Sequence, residues 1–288
     1  MTDAIGSCLA GLISPEVTVA RLLLGGARPC AIAHELERRR PEPPCARWLA
    51  LSKLVADQHA ALSALAAEIA DVGGDHAAIG ADTARTAAFF DRAVAHSPEA
   101  GVALFSLGDP TILAAATDEV VGWLQSSRLL QPNADVLDLG CGFGRVAAAL
   151  APCCRSVLGL DVSAGMIAEA RRRHAGLANT RFEITPGRDL ATLPLAAFDL
   201  VLAVDSFPYI VQAGCAPRHV SDAARALRPG GALVVLNLSY RGDPDADRAD
   251  ATAWTRAYGL VMEVAGARPF ALWDGTAYLL RKPAAERA

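Results

Sequence analysis

An apolar strand that runs straight into three spaced glycines and then a helix leaves few folds open, and this chain has one at Val136-Leu137-Asp138-Leu139-Gly140-Cys141-Gly142-Phe143-Gly144-Arg145. Glycines let the backbone turn sharply and approach a ligand with no Cβ in the way. About 20 residues beyond the turn, the apolar run Ser156–Leu160 closes on Asp161, a carboxylate placed to accept hydrogen bonds from both hydroxyls of a ribose. A glycine loop alone matches many nucleotide and phosphate sites; joined to Asp161 it specifies an adenosine-type ligand. The spacing is G-x-G-x-G rather than the G-x-G-x-x-G that cradles a pyrophosphate, and Asp138 stands two residues ahead of it. A carboxylate there repels a pyrophosphate and suits a ligand bearing an ammonium and a sulfonium.

From this strand onward, short apolar runs at Asp135–Leu139, Ser156–Leu160, Arg181–Thr185, Phe198–Val204 and Ala232–Leu238 alternate with helical segments such as Ser163–His174 and Ala216–Leu227. That alternation predicts a parallel sheet with helices on both faces. Tyr258–Phe270 and Thr276–Lys282, joined through Leu272-Trp273-Asp274-Gly275, predict a closing antiparallel hairpin with a tight Asp-Gly turn. The first half has a different texture, Ala- and Leu-rich with helical spacing. Two helices are expected within Val17–Arg40, interrupted near Gly25, Gly26 and Pro29, then one amphipathic helix over Arg47–Val72 ended by Gly73-Gly74, one around Asp82–His96 and one over Asp109–Leu130 with Asp109 as N-cap. The expected domains are 1–100, all-helical, and 101–288, α/β.

Of the residues, 52% are hydrophobic and 20% charged, which suits a packed globular protein. A net charge of −4 disfavours a nucleic-acid partner, and the runs Glu37–Arg40 and Arg171–His174 are too short to overturn that, reading as solvated helix ends. No apolar run reaches the ~18 residues of a membrane span, and Met1–Ala10 does not resemble a secretory signal. Seven cysteines without a CxxC pair or regular spacing point to reduced thiols and a cytoplasmic setting. No metal is expected, since no His/Cys group has ligand spacing; Asp243, Asp245 and Asp247 lack the glycine and distal Glu of a calcium loop and read as a solvated, mobile loop.

The stretch Asp135–Arg145 resembles motif I of class I S-adenosylmethionine-dependent methyltransferases, and the similarity extends over about Asp109–Lys282. The resemblance implies a Rossmann-like, mostly parallel seven-stranded sheet ending in an antiparallel hairpin, with the helical half added. It implies that Gly140, Gly142 and Gly144 lie against the methionyl part of the cofactor, with Cys141 packed beneath it, and that Asp138 fixes the loop and the ammonium. Asp161 would hold the ribose, Val162 and Met166 would border the adenine, and Arg188 and Asp189 would occupy the turn that reads the adenine edge. Asp161-Val162-Ser163-Ala164-Gly165-Met166-Ile167 is similar to the family's D-x-S-x-x-M-[IL], with Ser163 as N-cap, and Leu227-Arg228-Pro229-Gly230-Gly231 to its punctuation before the fifth strand. Members usually carry Gly-Asp after the third strand; here Arg188 intervenes, which weakens the assignment of Asp189.

The family's loop after the fourth strand faces the transferred methyl, so Asp205 is a candidate cofactor or substrate contact, and Asp205, Tyr209 and Tyr240 are the candidates for a general base or acceptor contacts. His219 and His96 are weaker candidates, read as a solvated helix-start residue and a turn residue. The implied reaction is methyl transfer from S-adenosylmethionine to a small-molecule acceptor at O, N, S or C, with S-adenosylhomocysteine as product. The rivals are a non-catalytic S-adenosylmethionine-binding scaffold and an NAD-dependent oxidoreductase, the latter disfavoured by the loop spacing. The N-terminal helices would cover the substrate or make a homodimer contact.

Overall fold

The computed structural model describes residues 3–72, 79–80 and 82–284. Seven strands form one sheet in the order β3-β2-β1-β4-β5-β7-β6: β1 (Asp135–Leu139), β2 (Ser156–Asp161), β3 (Thr180–Ile184), β4 (Phe198–Val204), β5 (Leu227–Leu236), β6 (Val261–Ala267) and β7 (Ala277–Arg281). β1 to β5 are parallel, and β7 runs antiparallel between β5 and β6. The central runs are apolar on both sides because both sheet faces are covered: Leu200, Val201, Leu202 and Ala203 are all buried, as are Leu233, Val234, Val235 and Leu236. The strand order reverses beside β1, where the carboxyl ends of β1 and β4 leave a crevice for ligands.

At the opposite ends of these strands a charge network fixes their register. Asp199 accepts from the Asp135 backbone N–H (2.8 Å) and from Arg228, while Arg228 and Arg155 both reach Asp135. The Arg155 guanidinium beside it holds the Asp135 carboxyl well below the usual carboxylate range. Between Phe198↔Leu227 and Leu200↔Ala232 the β4–β5 register shifts, so Arg228-Pro229-Gly230-Gly231 is absorbed at the start of β5 as an irregularity rather than lying wholly before it.

The helices follow their capping residues. Ser14 caps Pro15–Leu24, Asp82 caps Thr83–His96, Asp109 caps Pro110–Ser126, and Ser163 caps Ala164–Arg173. The helices flanking Gly25 and Gly26 are Pro15–Leu24 and Pro29–Arg38. Three expectations need correction. The helix expected over Arg47–Val72 is two, Ala46–Asp57 and His59–Val72, broken at Gln58; Gly73 and Gly74 lie outside the described residues. The hairpin's turn is not a tight Asp-Gly turn, since Ala267 pairs with Ala277 and a loop over residues 268–276 separates the strands. Asp243, Asp245 and Asp247 are not a mobile loop: Asp243 Oδ1 caps Pro244–Tyr258, and Asp247 is buried, accepting from Ser239 and Arg241.

The chain divides into two compact units. One comprises Met1–Asp75, Arg92–Ala116 and Phe270–Asp274; the other comprises His76–Asp91, Thr117–Pro269 and Gly275–Ala288. The tip of the β6–β7 loop thus belongs to the helical unit, where Trp273 stacks on Phe105 (centroids 6.1 Å apart) and on Phe270 (5.4 Å). Leu272 and Asp274 there meet Ser14 and Arg21. Trp273→Ala is expected to cost the helical unit about 3–5 kcal/mol, as truncation of a buried aromatic does; urea unfolding followed by near-ultraviolet circular dichroism measures it, and an unshifted midpoint would show that this stack does not hold the unit.

Candidate functional site

The glycine turn owes its shape to hydrogen bonds with the neighbouring strand end. Gly140 and Cys141 donate their N–H groups to Leu160 O (2.7 and 3.0 Å), and Gly142 N–H donates to Asp161 Oδ2 (2.9 Å). Asp161 Oδ1 accepts from Ser163 N–H (2.9 Å), so one buried carboxylate ties the turn after β1 to the turn after β2. Burial raises the Asp161 carboxyl above its ordinary value, while these backbone donors oppose the rise. Gly140 and Gly144 have positive φ, and the space a Cβ would take is filled by the protein itself: it would lie 2.2 Å from Ser206 Cβ at Gly140 and 2.6 Å from the Phe182 ring at Gly144. These two glycines are therefore demanded by the turn's own packing as much as by any ligand.

Cys141 is buried, with its sulfur packed where a Cβ on Gly159 would fall; burial pushes its thiol well up, which removes it as a nucleophile. Val162 packs on Gly187, and Met166 is almost wholly enclosed, its N–H donating to the cap Ser163. Arg188 is exposed, and Asp189 Oδ1 accepts from the Ala191 N–H of its own turn (3.2 Å).

Asp138, 1% exposed, points into the region between β1 and the helix that follows, and its Oδ2 has no hydrogen-bond partner among the described residues. Burial pushes its carboxyl up to about 7, against the pull of the Arg145 charge and with a smaller push from Asp161. At the end of β4, Asp205 adopts a left-handed backbone (φ 57°), as Asn237 does at the end of β5 (φ 71°), a conformation that Asp and Asn tolerate better than most residues. Asp205 Oδ1 accepts from Asn237 Nδ2 (2.8 Å) and from the Tyr240 hydroxyl (2.9 Å). Tyr240 meets Tyr209 edge-on at 5.6 Å, and Tyr209 meets Phe90 at 5.3 Å, so the structure brings all three candidate catalytic residues together behind an aromatic row. Tyr240 is 39% exposed, yet desolvation of its hydroxyl and of Tyr209's, together with the Asp205 charge, raises both phenols above their ordinary value.

His219 is buried rather than solvated; its Nδ1 lies 3.1 Å from Cys215 O and its Nε2 is unpartnered among the described residues. His96 is exposed at the end of its helix. Among the described residues no group of three His, Cys, Asp or Glu is placed to hold a metal, and no helix is long and apolar enough to cross a membrane. Sequence reasoning missed Asn237 and the contacts that Ser206 and Asp91 make. Asn237 was visible as a polar residue closing an apolar strand. Asp91 lies in Phe89-Phe90-Asp91-Arg92, a segment expected from the sequence to be able to close over the site, but its acceptance from Ser163 Oγ (2.5 Å) and Gly165 N–H (2.9 Å) carried no local signal.

Residues 136–231 match the family described as a methyltransferase domain. The chain is 35% identical over 135 residues to an O-methyltransferase of Pyrenophora dematioidea, covering 46% of this chain and 48% of that one. It is 31% identical over 139 residues to a probable thiol methyltransferase 2 of Arabidopsis thaliana, covering 48% and 58%. The chain thus spans about half the length of the curated relatives it matches. Among solved structures it shares a fold with phosphoethanolamine N-methyltransferase 1 of Haemonchus contortus, solved with phosphoethanolamine and S-adenosylhomocysteine (TM-score 0.50, 17% identity, 72% of this chain and 50% of that one). Residues 136–231 are thus similar to a methyltransferase domain, and the sheet they lie in has a Rossmann-like fold.

The raised Asp138 carboxyl has a signed consequence. Between an ordinary value near 3.9 and about 7 the folded chain holds a proton that the unfolded chain has released, so stability falls as pH rises through that window and stays lower above it. Asp138→Asn is therefore expected to raise the melting temperature at pH 8 and to leave it nearly unchanged at pH 4. An equal shift at both values would show that Asp138 does not titrate this way.

Proposed function

We propose that the protein transfers a methyl group from S-adenosylmethionine to a small-molecule acceptor in the cytoplasm. The observation that carries this reading is the Asp161 carboxylate held 2.9 Å from Gly142 N–H, which sets a ribose-binding group beside the glycine turn. The donors and acceptors present fit an adenosyl amino acid. Asp161 accepts backbone N–H groups on both oxygens and keeps acceptor capacity for a ribose hydroxyl, and the orphaned Asp138 Oδ2 is a buried acceptor suited to an ammonium. The bound donor supplies an electrophilic sulfonium methyl, and the chain's task is to orient the acceptor and exclude water. Both relatives named above are methyltransferases whose names point to oxygen and thiol acceptors, which supports a small-molecule acceptor.

Of the three candidate catalytic residues, the two phenols stay protonated across ordinary pH and serve as hydrogen-bond donors and walls. Asp205 is then the proton acceptor, aimed by Asn237 and Tyr240. Val162, Met166, Arg188 and Asp189 surround the adenine end in this reading. The helical half, taken as 1–100, restricts the acceptor or supports a homodimer.

Calorimetric titration tests the cofactor assignment: S-adenosylhomocysteine is expected to bind and NADH not, and tight NADH binding with no response to S-adenosylhomocysteine would overturn it. Asp161→Ala is expected to weaken S-adenosylhomocysteine binding by about 1–3 kcal/mol through lost hydrogen bonds to a charged group. Once an acceptor is found by a panel screen, Asp205→Asn is expected to lower kcat by roughly 10²–10⁴, the usual range for a general base, and Tyr240→Phe by much less. Binding of the donor with no transfer to any acceptor would favour a scaffold.

A further inference from the structure

Tyr240 sits on the loop after β5, and its reach to Asp205 depends on where that loop is held. The chain leaves the strand through the left-handed Asn237 and turns again at Gly242 (φ 70°). Between these points both neighbours of Tyr240 are tied to one oxygen. Ser239 Oγ donates to Asp247 Oδ1 (2.7 Å), Arg241 Nε donates to the same Oδ1 (2.7 Å), and Arg241 N–H donates to Ser239 Oγ (3.3 Å). Arg241 also reaches Asp250 through Nη2 (2.5 Å). Asp247 is 7% exposed and stands in the first turn of the helix Pro244–Tyr258, which Asp243 caps. A carboxylate buried to hold two loop residues carries a desolvation cost, which charge-assisted hydrogen bonds offset only where the geometry is well set.

The residue enclosed by this knot is Tyr240, which sends its hydroxyl to Asp205 Oδ1 (2.9 Å) and its ring edge-on to Tyr209 (5.6 Å). One such hydrogen bond gains, net, no more than it costs to fix the backbone of one residue, so on a free loop it would form only part of the time. Holding Ser239 and Arg241 beforehand removes that cost. We propose that Asp247 is a positioning residue for the crevice, fixing Ser239 and Arg241 so that Tyr240 stays on Asp205. It acts through Tyr240, and the proposal rests on the methyltransferase reading only for what Asp205 then does.

The test is the titration of Tyr240, which needs neither donor nor acceptor. Phenolate absorbance is followed after rapid pH jumps in the wild type, Asp247→Ala, Asp247→Asn and Asp243→Ala. Each is measured with and without Tyr240→Phe, so that the difference isolates Tyr240 among the chain's four tyrosines. In the wild type Tyr240 ionises well above the ordinary value of about 10. Asp247→Ala is expected to bring it down by about one pH unit or more, and Asp247→Asn, which keeps the acceptor oxygen and loses the charge, to restore most of the wild-type value. Asp243→Ala weakens the cap of the same helix without removing a bond of the knot and is expected to leave Tyr240 as it was. An unmoved Tyr240 in Asp247→Ala overturns the proposal. So does an equal fall in Asp247→Asn, which would make charge rather than placement the cause, or in Asp243→Ala, which would make the cause a general loosening of the helix. Should Asp247→Ala fail to fold, Ser239→Ala removes one of the two side-chain bonds to Asp247 and is expected to move Tyr240 the same way. A wild type that binds no S-adenosylhomocysteine counts against the methyltransferase reading and leaves this titration standing. Once an acceptor is found, Asp247→Ala is expected to lower kcat by the same factor as Tyr240→Phe, with no further loss in the double variant, and an additive loss overturns the route through Tyr240.

Discussion

One carboxylate organises the crevice. Asp161 sits at the end of β2 yet reaches across to the turn after β1, accepting from Gly142 on one oxygen and from Ser163 on the other. Two loops that would each be flexible alone are thereby locked at a fixed spacing, and the two strands beneath them are already in register from Asp135↔Ser156 to Leu139↔Leu160. A buried carboxylate without such donors would be expensive. With them it becomes a rigid acceptor.

Around that fixed point the crevice collects charged groups. Asp138 and Arg145 lie beside the glycine turn, and Asp205 closes β4 in a left-handed conformation. A protein built only for stability would replace such groups with apolar packing. Sparsely populated backbone conformations and unpaired buried charge cluster where a ligand completes them. The opposite ends of the same strands make the contrast, since there Asp135, Asp199, Arg155 and Arg228 pair with one another.

The α/β half was legible in the sequence because its signals are local. β1 and β4 fall on the apolar runs that announced them, and the glycine turn and Asp161 are linked by strand pairing that the alternation of runs implies. The candidates Asp205, Tyr209 and Tyr240 could be placed on one crevice because loops after parallel strands share an edge. What the sequence hid was contact at long range. Asp91 reaches the cap of the Ala164–Arg173 helix from a helix some seventy residues earlier, and Thr117 reaches Arg145 from a segment with no motif of its own. The break at Gln58 was hidden for another reason: helical spacing continues through it with neither glycine nor proline. The Asp-Gly pair at 274 and 275 misled because the loop tip is committed elsewhere.

That commitment bears on the order in which the protein can be made. The helical unit begins at the amino terminus, but its aromatic stack waits for Trp273 and its edge for Leu272 and Asp274. During synthesis the helix Pro15–Leu24 must persist without these packing partners until the much later loop over residues 268–276 has been made. A truncation ahead of residue 268 would accordingly leave the helical unit with an unfinished surface.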